Sequence, residues 1–130
     1  MNAMLAIKQY QQVSVSSSAM GASPHRLVQM LMEGALERIV LAKASMTRNE
    51  IAMKGQSIGQ AIHIVGGLQG SLNREAGGVI AENMNNLYDY MARRLMVANS
   101  QNDESILDEV SGLMVELKMG WDAMPDAYKH

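Results

Sequence analysis

The length, composition and charge of the chain narrow its class. It has 130 residues, 48 % of them hydrophobic, which is enough for one domain to bury a modest core without metal or disulfide support. Its 11 basic and 13 acidic residues are not clustered, so it lacks the basic patch that nucleic-acid binding requires. Cysteine is absent, which excludes disulfides, thiolate metal sites and cysteine nucleophiles.

The N-terminal stretch, MNAMLAIKQYQQ, has neither a basic n-region nor an apolar run of the length that signal peptides need. No apolar run approaches the roughly 18 residues of a membrane span. We therefore expect a cytoplasmic protein that does not insert into a membrane. Residues 1–22, which end in VSVSSSAMGA, predict a flexible N-terminal arm with one short helical turn around Leu5 to Tyr10.

The first helix has a clear start signal. Ser23 can accept a hydrogen bond from a free backbone N–H, and Pro24 is tolerated at the first helical position because its missing donor would be unpaired anyway. Pro24 and Pro125 are the only prolines, so nothing between them forces a helix to break. We predict the first helix over residues 24–47.

Three further helices are predicted at about 50–72, 78–100 and 103–121. Asn49 is the expected N-cap of the second helix. Gly77 and Gly78 allow the turn into the third helix, and Asn102 or Asp103 can cap the fourth. Each helix is thus followed by a short loop.

Four amphipathic helices, each about 30 Å long, with no strand signals predict an all-α fold. Short connections make consecutive helices antiparallel, so the expected architecture is an up-down four-helix bundle over residues 23–124. Residues 125–130 are then a C-terminal tail.

Apolar residues at helical spacing predict one stripe on each helix that faces the core. The stripes contain Leu27, Leu31, Ala35, Ile39, Ala42 and Met46 on the first helix, Ile51, Ile58, Ala61, Ile62, Val65, Leu68 and Leu72 on the second, Ile80, Met84, Leu87, Tyr88, Met91, Leu95 and Ala98 on the third, and Ile106, Val110, Leu113, Met114, Leu117 and Trp121 on the fourth.

Other apolar residues fall beside or opposite these stripes when each residue is turned by about 100°. They are Met30, Met32, Leu36, Val40 and Leu41 on the first helix, Val79, Tyr90, Met96 and Val97 on the third, and Val115 and Met119 on the fourth. Such rows predict grooves that accept an amphipathic partner helix; the alternative is that the first helix is simply central. The 13 methionines fit either a loosely specified core or a surface that repacks around partners.

The second helix contains five glycines, each of which disfavours a helix interior by up to about 1 kcal/mol relative to Ala. They are Gly55, Gly59, Gly66, Gly67 and Gly70. Close approach of another helix, local flexibility, or room for a ligand helix would each account for them, and the sequence leaves the three explanations open.

Catalytic signals are sparse. The three histidines, His25, His63 and His130, lack the spacing of a zinc helix, and we expect no catalytic residues, no metal and no cofactor. One catalytic alternative is the stretch HIVGG from His63, because a histidine phosphotransfer domain is also a helical bundle whose exposed histidine precedes a glycine by four residues. Gly66 stands where such a domain is expected to have a lysine or a similar group.

Several segments resemble one family, the flagellar export chaperone FliS. They are YQQVSV, ASPHRLVQMLMEGA, MKGQSIGQAIHIVGGL, GGVIAENMNNLYDYMARRLMVAN and LDEVSGLMVELKMGWD, in that order, from about Ile7 to Asp122. The resemblance implies a non-enzymatic four-helix bundle in the bacterial cytosol. It also implies binding of the disordered C-terminal segment of flagellin, prevention of premature polymerisation, and delivery to the flagellar type III export apparatus.

The resemblance and the surplus apolar rows together give expected site residues. The flagellin-binding groove is expected at Met32, Leu36, Val40, Ile64, Val79, Tyr90, Met96 and Val97. Ile7 and Tyr10 are expected to dock to an export-gate component or to cover a groove until flagellin displaces them. A homodimer is left open, since the same apolar rows would also serve self-association.

Overall fold

The computed structural model describes residues 21–124, apart from the side chain of Arg74. It contains four helices, which we number α1 (Pro24–Thr47), α2 (Ile51–Gly70), α3 (Arg74–Gln101) and α4 (Glu104–Asp122), and no strand within the described residues. α1 packs against α2 and α4, and α3 packs against the same two helices. The predicted all-α four-helix bundle is confirmed. The predictions for residues 1–20 and 125–130 lie outside the described residues.

Side-chain caps determine where three helices begin. The Ser23 hydroxyl accepts a hydrogen bond from the backbone N–H of Arg26 at 3.2 Å, as expected for α1. Asp103 caps α4 by accepting from the backbone N–H of Ser105 at 2.9 Å. Asn102, the residue before Asp103, adopts the left-handed conformation with φ 53° and is the C-cap of α3. Asparagine tolerates this conformation because its short side chain bonds locally.

The expected cap at Asn49 is wrong. The N-cap of α2 is Glu50, whose side chain makes no capping bond, while Asn49 has φ 58° in the turn after α1. This turn is closed by a hydrogen bond from the backbone N–H of Glu50 to the carbonyl of Ser45 at 2.8 Å. Asn49 therefore ends α1 rather than starting α2, because the tight turn needs a residue that adopts positive φ.

The start of α3 also differs from the prediction. Asn73 caps the helix by accepting from the backbone N–H of Ala76 at 3.1 Å, so the helix begins before the glycines. The backbone then breaks at Gly78, with φ 53° and ψ −128°, a conformation that glycine adopts at no steric cost. Gly78 thus produces a kink within α3 instead of the loop between helices.

All four helices contribute to one hydrophobic core. Its largest fully buried side chains are Tyr88, Leu31, Met32, Ile58, Leu68, Met91, Leu95, Leu107, Met114, Val65 and Val110. Burial raises the pKa of Tyr88 to about 12, because the phenolate would have to be charged inside this core. The core thus holds Tyr88 in its neutral form.

Two residues assigned to the core-facing stripes are on the surface. Ile51 is 69 % exposed and Ile80 is 72 % exposed, so their predicted burial is wrong. Ile51 is the first residue of α2, at the end of the bundle. Ile80 follows the break at Gly78, where the angular spacing of one continuous helix no longer applies.

The N-terminal end of α1 is held to the C-terminal end of α4. The rings of His25 and Trp121 stack with centroids 4.8 Å apart, and the Trp121 indole N–H donates to the His25 carbonyl at 3.0 Å. Asp122 accepts a hydrogen bond from Gln29 at 2.6 Å and forms an ion pair with Lys118 at 2.6 Å. Hydrogen bonds from Lys118 and then Gln29 lower the pKa of the Asp122 carboxyl.

Lys54 joins α2 to the end of α3. The residue is 7 % exposed, and its ammonium donates to the Asn99 carbonyl at 3.1 Å and to the side-chain oxygen of Asn102 at 3.0 Å. The charge therefore lies at the negative end of the α3 dipole, where a cation is favourable. The Lys54 ammonium also supplies a hydrogen-bond donor to the Asn99 carbonyl in the last turn of α3.

We expect Lys54→Met to destabilise the protein by about 1–3 kcal/mol, because it removes the buried donor from two partly buried oxygens while keeping a long apolar stem. Urea unfolding monitored by circular dichroism measures the change. Lys43→Met is the control, since it removes an exposed ion pair and should have a smaller effect. Equal effects from the two substitutions would contradict the role assigned to Lys54.

Candidate partner-binding surface

Large hydrophobic side chains are exposed on all four helices. They are Val40, Leu41, Ile51, Met53, Val79, Ile80, Met96, Val115 and Met119. Helical periodicity predicted six of them outside the core. It missed Ile51, Met53 and Ile80. Ile51 could have been identified by its position at the start of a helix, and Ile80 by its position just after the Gly78 break.

Met32 and Ile64 were expected to line the groove, and these two predictions are wrong. Met32 is completely buried and Ile64 is 6 % exposed, and both belong to the core. Met30, expected on an outer flank of α1, is also buried. α1 packs against two neighbouring helices, so a wider arc of its circumference is covered than a single stripe provides. The packing of α1 on both α2 and α4 therefore explains part of its apolar content.

Two ion pairs show the register of α1 against α4. Lys43 contacts Asp108 at 2.7 Å, and Lys118 contacts Glu33 at 3.9 Å. Both pairs place the helices antiparallel, with residues 33–43 of α1 opposite residues 108–118 of α4. The hydrogen bond to Asp108 raises the pKa of Lys43, which is the direction expected for a cation beside a carboxylate.

An apolar surface begins between these two ion pairs and extends just past Lys118. In this register the half-buried Leu36 is level with Val115, and Val40 lies one turn further along α1. Met119 follows Val115 by one turn on the same side of α4. We call these four residues the α1–α4 face. It contains two of the predicted site residues, Leu36 and Val40.

Tyr90 lies on a different side of the bundle, between α3 and α4. Its hydroxyl donates to one carboxylate oxygen of Glu109 at 2.6 Å, while Arg94 donates to the other at 2.9 Å. The bond to Glu109 raises the pKa of Tyr90, and the bonds from Tyr90 and Arg94 lower the pKa of Glu109. Val97, seven residues after Tyr90, is half-buried against the core on the same side. Tyr90 and Val97 form the α3–α4 face.

Met96 does not share that face. It follows Tyr90 by six residues, which turns its side chain about 120° away around α3. Met96 is 61 % exposed and lies on the flank of α3 toward α2. Val79 is 73 % exposed at the Gly78 kink. There it lines an open hollow together with Gly78, Glu82, Asn85 and Asn86.

The predicted site residues therefore occupy separate sides of the bundle and do not form one groove. The structure brings Leu36 together with Val40, and Tyr90 together with Val97, but leaves Met96 and Val79 apart from both pairs. The predictions for Ile7 and Tyr10 concern residues outside the described part of the chain. A ligand that contacts all these surfaces has to pass around the bundle.

The described residues contain no group of three His, Asp or Glu side chains that could hold a metal ion. His63 is half-buried in the middle of α2. No helix in the described part of the chain is long and apolar enough to cross a membrane.

Comparison with known proteins identifies the family. The sequence profile of the family described as flagellar protein FliS matches residues 6–128. The flagellar secretion chaperone FliSB of Pseudomonas aeruginosa is 52 % identical over 124 residues, which cover 95 % of this chain and 98 % of the relative. The flagellar secretion chaperones FliS of Vibrio cholerae and Bacillus subtilis are 43 % and 35 % identical, covering 94 % and 86 % of this chain and 90 % and 80 % of those proteins.

These findings place the protein in a class of helical-bundle secretion chaperones. That class is not an enzyme family. The chain belongs to the FliS family.

We expect Glu109→Gln to lower the pKa of Tyr90 toward that of an ordinary tyrosine, about 10, because the carboxylate that favours the neutral phenol is lost. The difference between the tyrosinate absorbance titrations of the wild type and the variant measures it. Glu116→Gln, an exposed carboxylate on the same helix, is the control. An unchanged titration in Glu109→Gln would contradict the contact.

The same pair makes stability depend on pH. Since the pKa of Glu109 is lower in the folded state, its stabilising contribution is present above the unfolded pKa of glutamate, about 4.3, and is lost as the pH falls through the folded value. The wild type should therefore lose more stability than Glu109→Gln on acidification below about pH 5.

Proposed function

We propose that this protein is an export chaperone for flagellin that acts in the bacterial cytosol. It binds the disordered C-terminal segment of newly made flagellin, prevents premature polymerisation, and delivers the subunit to the flagellar type III export apparatus. Membership of the FliS family, whose named relatives are flagellar secretion chaperones, supports a chaperone role in flagellar export. The flagellin segment as the bound partner is our proposal.

The observation that carries the proposal is the exposure of large hydrophobic side chains on all four helices. Val40, Met96 and Met119 are each more than 60 % exposed although a complete core lies beneath them. Scattered exposed apolar residues are ordinary, but groups aligned along helix faces favour a partner with an apolar face of its own. The α1–α4 face is such a group.

The distribution of these surfaces favours a partner that folds as it binds. One rigid helix cannot contact the α1–α4 face and the flank of α3 at Met96 together, because they point in different directions around the bundle. A disordered segment can wrap around the bundle and form helix locally, exchanging chain entropy for apolar burial. If about 2,000 Å² is buried, the complex is large enough to persist, although ordering the segment costs several kcal/mol.

Exposed methionines suit this task. Met53, Met96 and Met119 are all exposed, and an unbranched thioether side chain adapts its shape to a partner at low cost. An adaptable surface tolerates the small rearrangements that occur when flagellin is bound and released. Delivery then requires release at the export gate.

The N-terminal residues Ile7 and Tyr10 are proposed to dock to the export-gate component or to cover a groove until flagellin displaces them. The protein is proposed to act without catalysis, cofactor or metal, and without contact to nucleic acid. No observation in the structure favours the histidine phosphotransfer alternative at His63.

We expect the C-terminal segment of flagellin from the same organism to bind saturably at 1:1 stoichiometry in isothermal titration, with a negative heat-capacity change because apolar surface is buried. Tyr90→Asp or Met96→Asp should weaken binding about tenfold or more, since each places a charge on an apolar contact. Unfolding curves verify that the variants fold.

Gln56→Asp is the control, because it adds the same charge at an exposed polar position of α2. Binding unaffected by both test substitutions would move the site to other faces. Absence of binding by the wild type would overturn the proposal, and a tight oligomer that flagellin does not dissociate would favour a structural role.

A further inference from the structure

The methionines of the described chain differ widely in exposure. Three project into solvent: Met53 is 52 % exposed, Met96 is 61 % exposed and Met119 is 66 % exposed. Those in the core are at most 6 % exposed, and they are Met30, Met32, Met91 and Met114. Met46, Met84 and Met124 are half-buried. Within residues 21–124, a small molecule dissolved in water therefore reaches three thioether sulfurs more readily than any other.

These exposed sulfurs are open to oxidation by hydrogen peroxide. One peroxide oxygen forms a bond to the methionine sulfur as the O–O bond breaks, and the other oxygen leaves with both protons as water. The sulfur is thereby oxidised to a sulfoxide and the peroxide is reduced. The chain has no cysteine, so no thiol within it competes for the oxidant. Methionine is therefore the side chain of this protein that we expect peroxide to modify first.

Two of the three exposed methionines lie on surfaces that we assign to the partner. Met119 belongs to the α1–α4 face together with Val40 and Val115, both of which are exposed. Met96, on the flank of α3, is one of the expected flagellin contacts. Met53 is the third residue of α2 and belongs to neither surface. Oxidation of Met96 and Met119 therefore changes the polarity of the proposed binding surface itself.

The free protein and the complex respond differently to the added oxygen. In the free protein both sulfoxide oxygens point into water, so the core beneath them keeps its packing. In the complex each oxygen lies in an apolar contact, where a hydrogen-bond acceptor without a donor is costly. The cations nearest in sequence are already paired, Arg94 with Glu109 at 2.9 Å and Lys118 with Asp122 at 2.6 Å.

We propose that Met96 and Met119 are peroxide-sensitive modification sites whose oxidation to methionine sulfoxide weakens binding of the flagellin segment and leaves the fold intact. This inference rests on the proposed function and adds to it a chemical regulation of the same surface. The modification is reversible, because methionine sulfoxide reductases remove the oxygen as water while a dithiol is oxidised to a disulfide.

The first measurement maps the oxidation. The full-length protein is treated with hydrogen peroxide, the excess is destroyed with catalase, and peptide masses identify the modified residues. We expect Met53, Met96 and Met119 to be oxidised about tenfold faster than Met32 and Met91, because susceptibility follows exposure. The unfolding temperature of the oxidised protein should equal that of the untreated protein.

The second measurement titrates the oxidised protein with the untreated C-terminal flagellin segment. We expect the dissociation constant to rise about tenfold or more, since each sulfoxide places an unpaired acceptor in an apolar contact. Treatment with methionine sulfoxide reductases and a dithiol should restore the original affinity. The double variant Met96→Leu with Met119→Leu keeps a similar apolar volume and has no sulfur at these positions, so peroxide should leave its affinity unchanged.

Met53→Leu is the matched control, because it removes an exposed methionine outside both surfaces. It should lose affinity after peroxide treatment as the wild type does. If the wild type binds equally well before and after oxidation, or if the oxidised double variant loses as much affinity as the oxidised wild type, the inference is overturned while the proposed function stands. If the untreated wild type does not bind the segment, the proposed function fails and the inference fails with it.

Discussion

The structure depends on one core that four helices share. Each helix contributes buried side chains to this core, for example Leu31 from α1, Val65 from α2, Tyr88 from α3 and Met114 from α4. Each helix also packs on two others. A helix is stiff, so fixing one side fixes the direction of every other side chain on it. The positions of the apolar surfaces on the outside therefore follow from the packing inside.

Polar contacts at the edges of the bundle refine that arrangement. Lys54 closes the end of α3, Glu109 joins Tyr90 and Arg94 across the α3–α4 boundary, and Trp121 holds α4 to the start of α1. These contacts set how far each helix slides along its neighbour. They also decide which exposed residues lie level with one another, and hence which of them a partner helix can contact together.

A chaperone of this kind needs a core that is complete without its partner. The buried side chains of the described helices satisfy this requirement, and the exposed methionines and valines are additional to it. α2 shows the same separation, since its one charged residue, Lys54, donates to the end of α3, whereas a Cβ atom added at Gly55, Gly59 or Gly66 would meet open space. Surfaces that the fold does not use are available to a partner.

Much of the fold could be predicted from local sequence, because caps and periodicity act between near neighbours. Ser23 with Pro24 starts α1, and Asp103 starts α4, by hydrogen bonds that span two or three residues. Asn49 was misassigned because the same side chain suits a cap and a left-handed turn, and only the path of the chain distinguishes them. Gly78 allowed a turn, but the packed bundle uses it as a kink.

The candidate site was less predictable, for a physical reason. The sequence by itself determined four amphipathic helices and more apolar residues than one core needs. Only the tertiary structure decided that Met32 is core and Met96 is surface, because burial depends on which neighbours cover each side of a helix. The position of Tyr90 beside Glu109, and hence on a different side from Met96, likewise depends on an interhelical contact between residues far apart in the chain.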